Sequence, residues 1–192
     1  MADNEKKKEI RQKAAVLFRE SGYDNVTVNE ISAAAGVSKN TFYYYYENKE
    51  ALIKAMFDPR SFDLDKVMGE LLRYSDPYEQ IICMCGLIAD YFASLGREIV
   101  RKALVMNLSR TIMHPTHRDG NKGAHGPVRM VFQRAIEEGK IRSDVTVDML
   151  MTGSRVILVG CLQMWSTCGQ DMDLKDTYVE QMRLLLEKQP RE

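Results

Sequence analysis

Apolar residues fall along this chain in a helical rhythm almost from end to end. Ile10, Ala14, Leu17 and Phe18 are spaced i, i+4, i+7, i+8, which lays one buried stripe along a helix. Gly22 stops it, since glycine tolerates the left-handed conformation that closes a helix. A second helix opens at Thr27, the N-cap. Glu30, three residues on, completes a capping box, and Val26 with Ile31 stand in the positions of a hydrophobic staple. Gly36 ends that helix. Ser38 then caps a third, with Val37 and Phe42 in the same staple relation. Asn48 begins a fourth that runs through Phe57 until Asp58-Pro59 interrupts it. Two short capped helices joined by a glycine-containing turn predict a helix-turn-helix.

Beyond this point the pattern predicts longer, more apolar helices over 78–95, 97–113, 128–138, 147–168 and 174–187, with few strand signals. Residues 114–127, "HPTHRDGNKGAHGP", form the one long loop-like stretch. Gly139 closes the helix before it, and Thr146 with Asp148 opens the next. The natural domain boundary lies near residue 50.

Composition narrows the class. The 192 residues are 45% hydrophobic and 28% charged, ordinary for a soluble globular protein. No apolar run reaches the roughly 18 residues that span a bilayer, and the N-terminus has no apolar signal region, so the expected location is the cytoplasm. A formal net charge of zero argues against coating nucleic acid through bulk charge, though it leaves local contact open. Lys6, Lys7, Lys8, Arg11, Lys13 and Arg19 outnumber the acids of the first helix, an excess that a solvated helix face explains equally well. Cys83, Cys85, Cys161 and Cys168 have no zinc-ligand spacing, and a reducing cytosol disfavours disulfides. They are expected as buried or pocket-lining thiols; no metal and no cofactor is implied.

Four tyrosines in a row, Tyr43 to Tyr46, follow Phe42. At about 100° per residue they cannot share one helix face. Phe42 and Tyr46 point inward, Tyr45 lies at the boundary, and Tyr43 and Tyr44 point outward beside Lys39, Asn40 and Thr41. This outer face suits a DNA groove. Asn pairs bidentately with adenine, and Thr offers a methyl and a hydroxyl. Tyr hydroxyls and Lys reach phosphate oxygens. Lys49, in the first turn of the next helix, lies where free backbone N–H groups also favour an anion. The same face could instead pack its amphipathic tyrosines against a neighbouring domain.

Residues 14–53, "AAVLFRESGYDNVTVNEISAAAGVSKNTFYYYYENKEALI", resemble the tetracycline-repressor (TetR) family of bacterial transcription regulators. The features run in order: a helix ending in Phe-x-x-x-Gly-Tyr, the Thr-x-x-x-Ile helix, Gly-Val-Ser, Thr-aromatic-Tyr and Lys-Glu-x-Leu. The resemblance covers about a quarter of the chain. It implies an all-α fold, with a three-helix helix-turn-helix DNA-binding domain at 1–49 and a larger helical ligand-binding and dimerisation domain at 50–192. Thr27 and Asn29 would meet phosphate or the groove edge. Lys39, Asn40, Thr41, Tyr43 and Tyr44 would form the recognition surface, and Lys49 would clamp phosphate. Position 40 is commonly small or proline in the family, so Asn40 adds base readout. Tyr45 stands where His is frequent, as a further phosphate candidate. Tyr46 replaces the usual Phe and needs a partner for its hydroxyl if buried.

The resemblance further implies a homodimer, because one helix-turn-helix covers only a half-site and two must sit about 34–36 Å apart, or a multiple of that. Helices 128–138 and 147–168 are the interface candidates. Val128, Val131, Phe132 and Ala135 with Ile136 make one apolar stripe; Gly153, Ile157 and Gly160 with Met164 make another. Each could equally be internal core. A small-molecule effector, apolar or aromatic, is expected to prefer the conformation with misplaced recognition helices and so to release the operator. Cys161, Met164, Trp165 and Cys168 share a face and could line its cavity, with Tyr91, Asn107 and Arg110, and also His114 and His117, as polar contributors; ordinary helical core is the competing reading. An enzyme is disfavoured, since no phosphate loop, serine elbow or zinc motif is present and no catalytic residue is assigned. A helical carrier that never meets DNA is the remaining rival.

Overall fold

The computed structural model describes residues 2–57, 64–108, 126–168 and 171–187, and among them the chain is helical with no strand. The helices are α1 (Ala2–Ser21), α2 (Val28–Ala34), α3 (Lys39–Tyr45), α4 (Lys49–Met56), α5 (Leu64–Leu71), α6 (Pro77–Leu95), α7 (Arg97–Leu108), α8 (Gly126–Glu137), α9 (Val147–Thr167) and α10 (Leu174–Leu186). Residues 114–125 of the expected long loop lie outside the described residues, and Gly126-Pro127 instead begin α8. Helix α5 is an addition to the expected set; Leu64, Val67, Met68 and Leu71 carry its i, i+3, i+4, i+7 spacing.

The chain forms two compact units. Residues 1–62 with 95–110 make the first, and 63–94 with 111–192 the second. A boundary at residue 50 therefore falls inside the first unit, because α4 and α7 both pack on α1. In this unit Ile10, Ala14 and Phe18 of α1 meet Ile31, Phe42, Leu52, Ile53, Ile99 and Val100 in a core that is almost wholly excluded from solvent. Helix α7 thus supplies part of the hydrophobic stabilisation of the helix-turn-helix, at about 1.5–3 kcal/mol for each large side chain fully buried.

The local signals that end and begin the short helices are all built. Gly22 (φ 81°) and Gly36 (φ 59°) take the left-handed conformation that closes α1 and follows α2. The Thr27 hydroxyl accepts from the Glu30 amide at 3.2 Å, and the Glu30 carboxylate accepts from the Thr27 amide at 2.7 Å. Ser38 accepts from the Thr41 amide at 3.0 Å, and Asn48 from the Ala51 amide at 2.8 Å. Each bond satisfies one of the free N–H groups at a helix start.

In the second unit α9 packs on α8 and α10. Its core gathers Phe132, Ala135, Leu150, Leu162, Trp165, Tyr178 and Met182. Helix α9 is long and apolar enough to cross a membrane by length and composition, with a mean hydropathy of 1.3, a test that core helices of soluble proteins also pass. Asp148 and Arg155 interrupt its apolar run, in keeping with the sequence reading.

Candidate nucleic-acid interface

Helix α3 has the two-sided character that its sequence requires. Phe42 is 0% exposed, whereas Tyr43 is 46% and Tyr44 76% exposed. Lys39 and Asn40 are also exposed, and Thr41 is half-buried. The aromatic rings brace one another: Phe42 meets Tyr43 edge-on at 5.6 Å between centroids, and Tyr44 meets Tyr45 edge-on at 5.0 Å. Each of the two outward tyrosines thus has an aromatic neighbour in the favoured edge-on arrangement.

Tyr46 leaves the helix at its C-terminus, with φ −140° and ψ 116°, and drops into the core. Its hydroxyl donates to the Lys7 carbonyl at 3.0 Å, supplying the partner that a buried phenol needs. The recognition helix is thereby tied at its end to the first turns of α1, where the lysines Lys6, Lys7 and Lys8 cluster.

Three side chains have tasks besides those expected. The Thr41 hydroxyl lies 2.8 Å from Ser38 Oγ, so one of its hydrogen bonds serves the cap, and its methyl and the remaining capacity of the oxygen are what it can offer a base. Lys49 Nζ donates to the Tyr23 carbonyl at 2.8 Å and the Val26 carbonyl at 2.6 Å. Two of its three ammonium protons are committed inside the unit, and it is half-buried. At the start of α2, Thr27 and Asn29 are exposed, but the Thr27 hydroxyl proton goes to Glu30 at 2.7 Å. That bond, followed by the Thr27 amide, holds the Glu30 carboxyl below the usual carboxylate range.

The candidates of the second unit divide. Phe132 (1% exposed) and Ala135 (0%) belong to the core of their own chain. Gly153 faces α10, where an added Cβ would lie 3.2 Å from Leu185. These three are not an outer face, because α9 packs over the first two and α10 over Gly153. Val128, Val131 and Ile157 are half-buried, and Gly160 is open, with nothing near an added Cβ. The residues that do form an outward apolar stripe on α9 are Met149, Val156, Gly160 and Met164, at helical spacing 0, 7, 11 and 15. Met149 and Val156 were missed; their i, i+7 relation in line with Gly160 was the available signal.

Of the expected ligand residues, Cys161 and Trp165 point into the core, while Met164 and Cys168 face outward. Tyr91 is half-buried against Phe92. Arg110, His114, His117 and the side chain of Asn107 lie outside the described residues. Two surface hollows lie in this unit, 440 Å³ beside Tyr78 and Arg183 and 380 Å³ beside Cys83 and Lys175; of the four cysteines only Cys83 lines either, and Tyr91, Met164 and Trp165 line neither. Burial raises the Cys161 thiol above its ordinary pKa and pushes Cys85 up to about 12, so both are neutral, apolar wall.

A capped helix-turn-helix with a polar and aromatic outer face on its second helix defines a DNA-binding protein. The comparisons agree. Residues 10–56 match the model of bacterial regulatory proteins of the tetR family. The TetC protein of transposon Tn10 from Escherichia coli is 38% identical over 140 residues, 71% of this chain and 70% of that protein. The probable acrEF/envCD operon repressor of Escherichia coli K12 is 22% identical, over 86% of this chain and 79% of its own length. The crystal structure of Thermus thermophilus FadR, a TetR family transcriptional repressor in complex with lauroyl-CoA, has the same fold, with a TM-score of 0.62 at 21% identity over 97% of this chain and 98% of that one. The chain belongs to the TetR family of bacterial regulatory proteins, and it is a DNA-binding transcriptional regulator.

Proposed function

We propose that this protein is a repressor that binds a pseudo-palindromic operator as a homodimer and leaves it when a small apolar or aromatic effector binds. It works in the cytoplasm on double-stranded DNA and catalyses no reaction. The observation that carries the reading is the outer face of α3, where Lys39, Asn40, Tyr43 and Tyr44 stand exposed on a helix anchored by buried Phe42 and Tyr46. Asn40 reads a base edge, with the Thr41 methyl beside it. Lys39, Tyr43, Tyr44 and Tyr45, with Thr27 and Asn29 at the start of α2, contact the backbone and groove edge and set register. Lys49 has one ammonium proton left for phosphate.

The homodimer is supported by the stripe Met149, Val156, Gly160 and Met164. It leaves an apolar face of α9 uncovered within one chain, and Gly160 permits another helix to come close. The same helix carries Asp148, paired with Arg129, and an exposed Arg155, which fit a protein partner better than lipid. The effector is supported by the FadR complex with lauroyl-CoA and by the soft, adaptable groups Met84, Cys85, Cys161, Trp165 and Met182 in the second unit. It lowers operator affinity by its differential affinity for the two conformations, typically about 1–3 kcal/mol.

Selection of bound sequences from random double-stranded DNA tests this reading. An enriched two-fold symmetric site, with affinity falling steeply as salt rises, is expected. Enrichment of no sequence would overturn it.

A further inference from the structure

The turn joining α1 to α2 is held by two other helices of its unit. The Tyr23 amide donates to Glu98 Oε1 of α7 at 2.9 Å, and Lys102 of α7 donates to Asp24 Oδ1 at 2.5 Å. On the carbonyl side, Lys49 of α4 binds the Tyr23 and Val26 oxygens. The Tyr23 ring is flanked by both ammonium groups, each 4.4 Å from its centroid. Gly22, whose φ of 81° begins the turn, lies beside this carboxylate, and an added Cβ would stand in ordinary contact with it at 3.5 Å from Oε2. The Lys102 bond is strong enough in its surroundings to hold the Asp24 carboxyl below its ordinary range. Three residues from two helices thus grip one short turn, and α2 starts where that turn ends.

Helix α7 differs from the others of this unit in its connections. The chain leaves the first unit after residue 62, returns at 95 and leaves again after 110, so α7 has the second unit on both sides of it in sequence. Its inner face, Ile99, Val100, Ala103 and Leu104, is buried. A displacement of α7 therefore either breaks its bonds to the turn or carries the turn, and with it α2 and α3, along.

We propose that Glu98 and Lys102 are positioning residues for DNA recognition: through Tyr23 and Asp24 they lock the α1–α2 turn to α7, so that the placement of α7 sets the presentation of the reading helix. This rests on the proposed reading of α3 and adds the residues that regulate it. A locked reading helix in each protomer enforces one half-site separation. Released helices tolerate several.

The test uses the full-length protein and the DNA site it selects from a random pool, with versions of that site lengthened or shortened by one base pair between half-sites. For the wild type, the altered sites bind much more weakly than the selected one. Glu98→Ala is expected to reduce this ratio of affinities by about tenfold, and Lys102→Gln and Asp24→Asn, which remove an exposed pair, by about threefold. Glu98→Gln keeps an oxygen to accept from the Tyr23 amide and should retain the ratio. Asp24 and Lys102 are surface side chains, so their variants remain folded even if Glu98→Ala does not. A merely structural role lowers the thermal midpoint and leaves the ratio alone. An unchanged ratio in the Lys102 and Asp24 variants overturns the positioning role while leaving DNA binding in place. A wild type that selects no DNA removes the reading beneath it.

Discussion

Asn40 and Tyr46 sit six residues apart at opposite ends of α3, and they do opposite things. Asn40 is exposed and, in the proposed function, reads a base edge, so Asn40→Ala should cost about 1–3 kcal/mol at one base position, visible as relaxed preference there in a selection experiment. Tyr46 is internal. Tyr46→Phe leaves the Lys7 carbonyl without its donor and should lower stability by about 1 kcal/mol in a denaturant titration, with sequence preference intact. Lys49 belongs with Tyr46 more than with Asn40. Lys49→Met should lower the unfolding midpoint, by an amount on the order of 1 kcal/mol given its partial exposure. A salt slope reduced by a full phosphate with no loss of stability would return it to the DNA. Which tyrosines face outward was legible from the sequence, because helical geometry alone decides it. The partners of Tyr46 and Lys49 were not, since they lie 39, 26 and 23 residues away and are set by how α1, α3 and α4 meet.

Elements repeat this division between local and distant causes. The caps at Thr27, Ser38, Asn48 and Thr146 were all readable, since each is a bond between residues three apart. The capping box of α2 makes a pH prediction. The Glu30 carboxyl titrates below its ordinary range in the folded chain, so the stability it adds is present above the unfolded pKa and disappears as pH falls through the folded one. Wild type and Glu30→Gln should therefore differ in thermal midpoint at pH 7 and converge in acid. Thr27→Ala, which removes the cap itself, should cost about 1 kcal/mol. Helix α5 had the right periodicity, but it is short and Gly69 interrupts its pattern, which weakens the helical signal. The assignment of Phe132, Ala135 and Gly153 to an outer face failed for a different reason. An apolar stripe says that something covers it, and only the packed chain shows that α9 and α10 already do.

At the scale of the molecule, the exposed stripe of α9 is the feature that one chain leaves unfinished. If this stripe is the seam of the proposed dimer, Val156→Lys or Met164→Glu should yield monomer in sedimentation and abolish binding to the full operator. Gly160→Ala discriminates further: alanine is favoured over glycine in a helix by about 1 kcal/mol, so the monomer should gain stability. Any contact with a partner helix at that point would show as weaker self-association. The presence of a DNA-reading domain could be read from some forty residues, but its full extent could not, because the membership of α7 depends on contacts with α1 and α4 that leave no mark in the sequence around residue 97.

This membership bears on protein engineering. A chimera that joins the first fifty residues of this regulator to the remainder of another would strip Ile99, Val100, Ala103 and Leu104 from beneath the transplanted helices and substitute a foreign helix. A hybrid repressor with exchanged specificity should work only when the graft is discontinuous, carrying residues 95–110 along with the N-terminal segment.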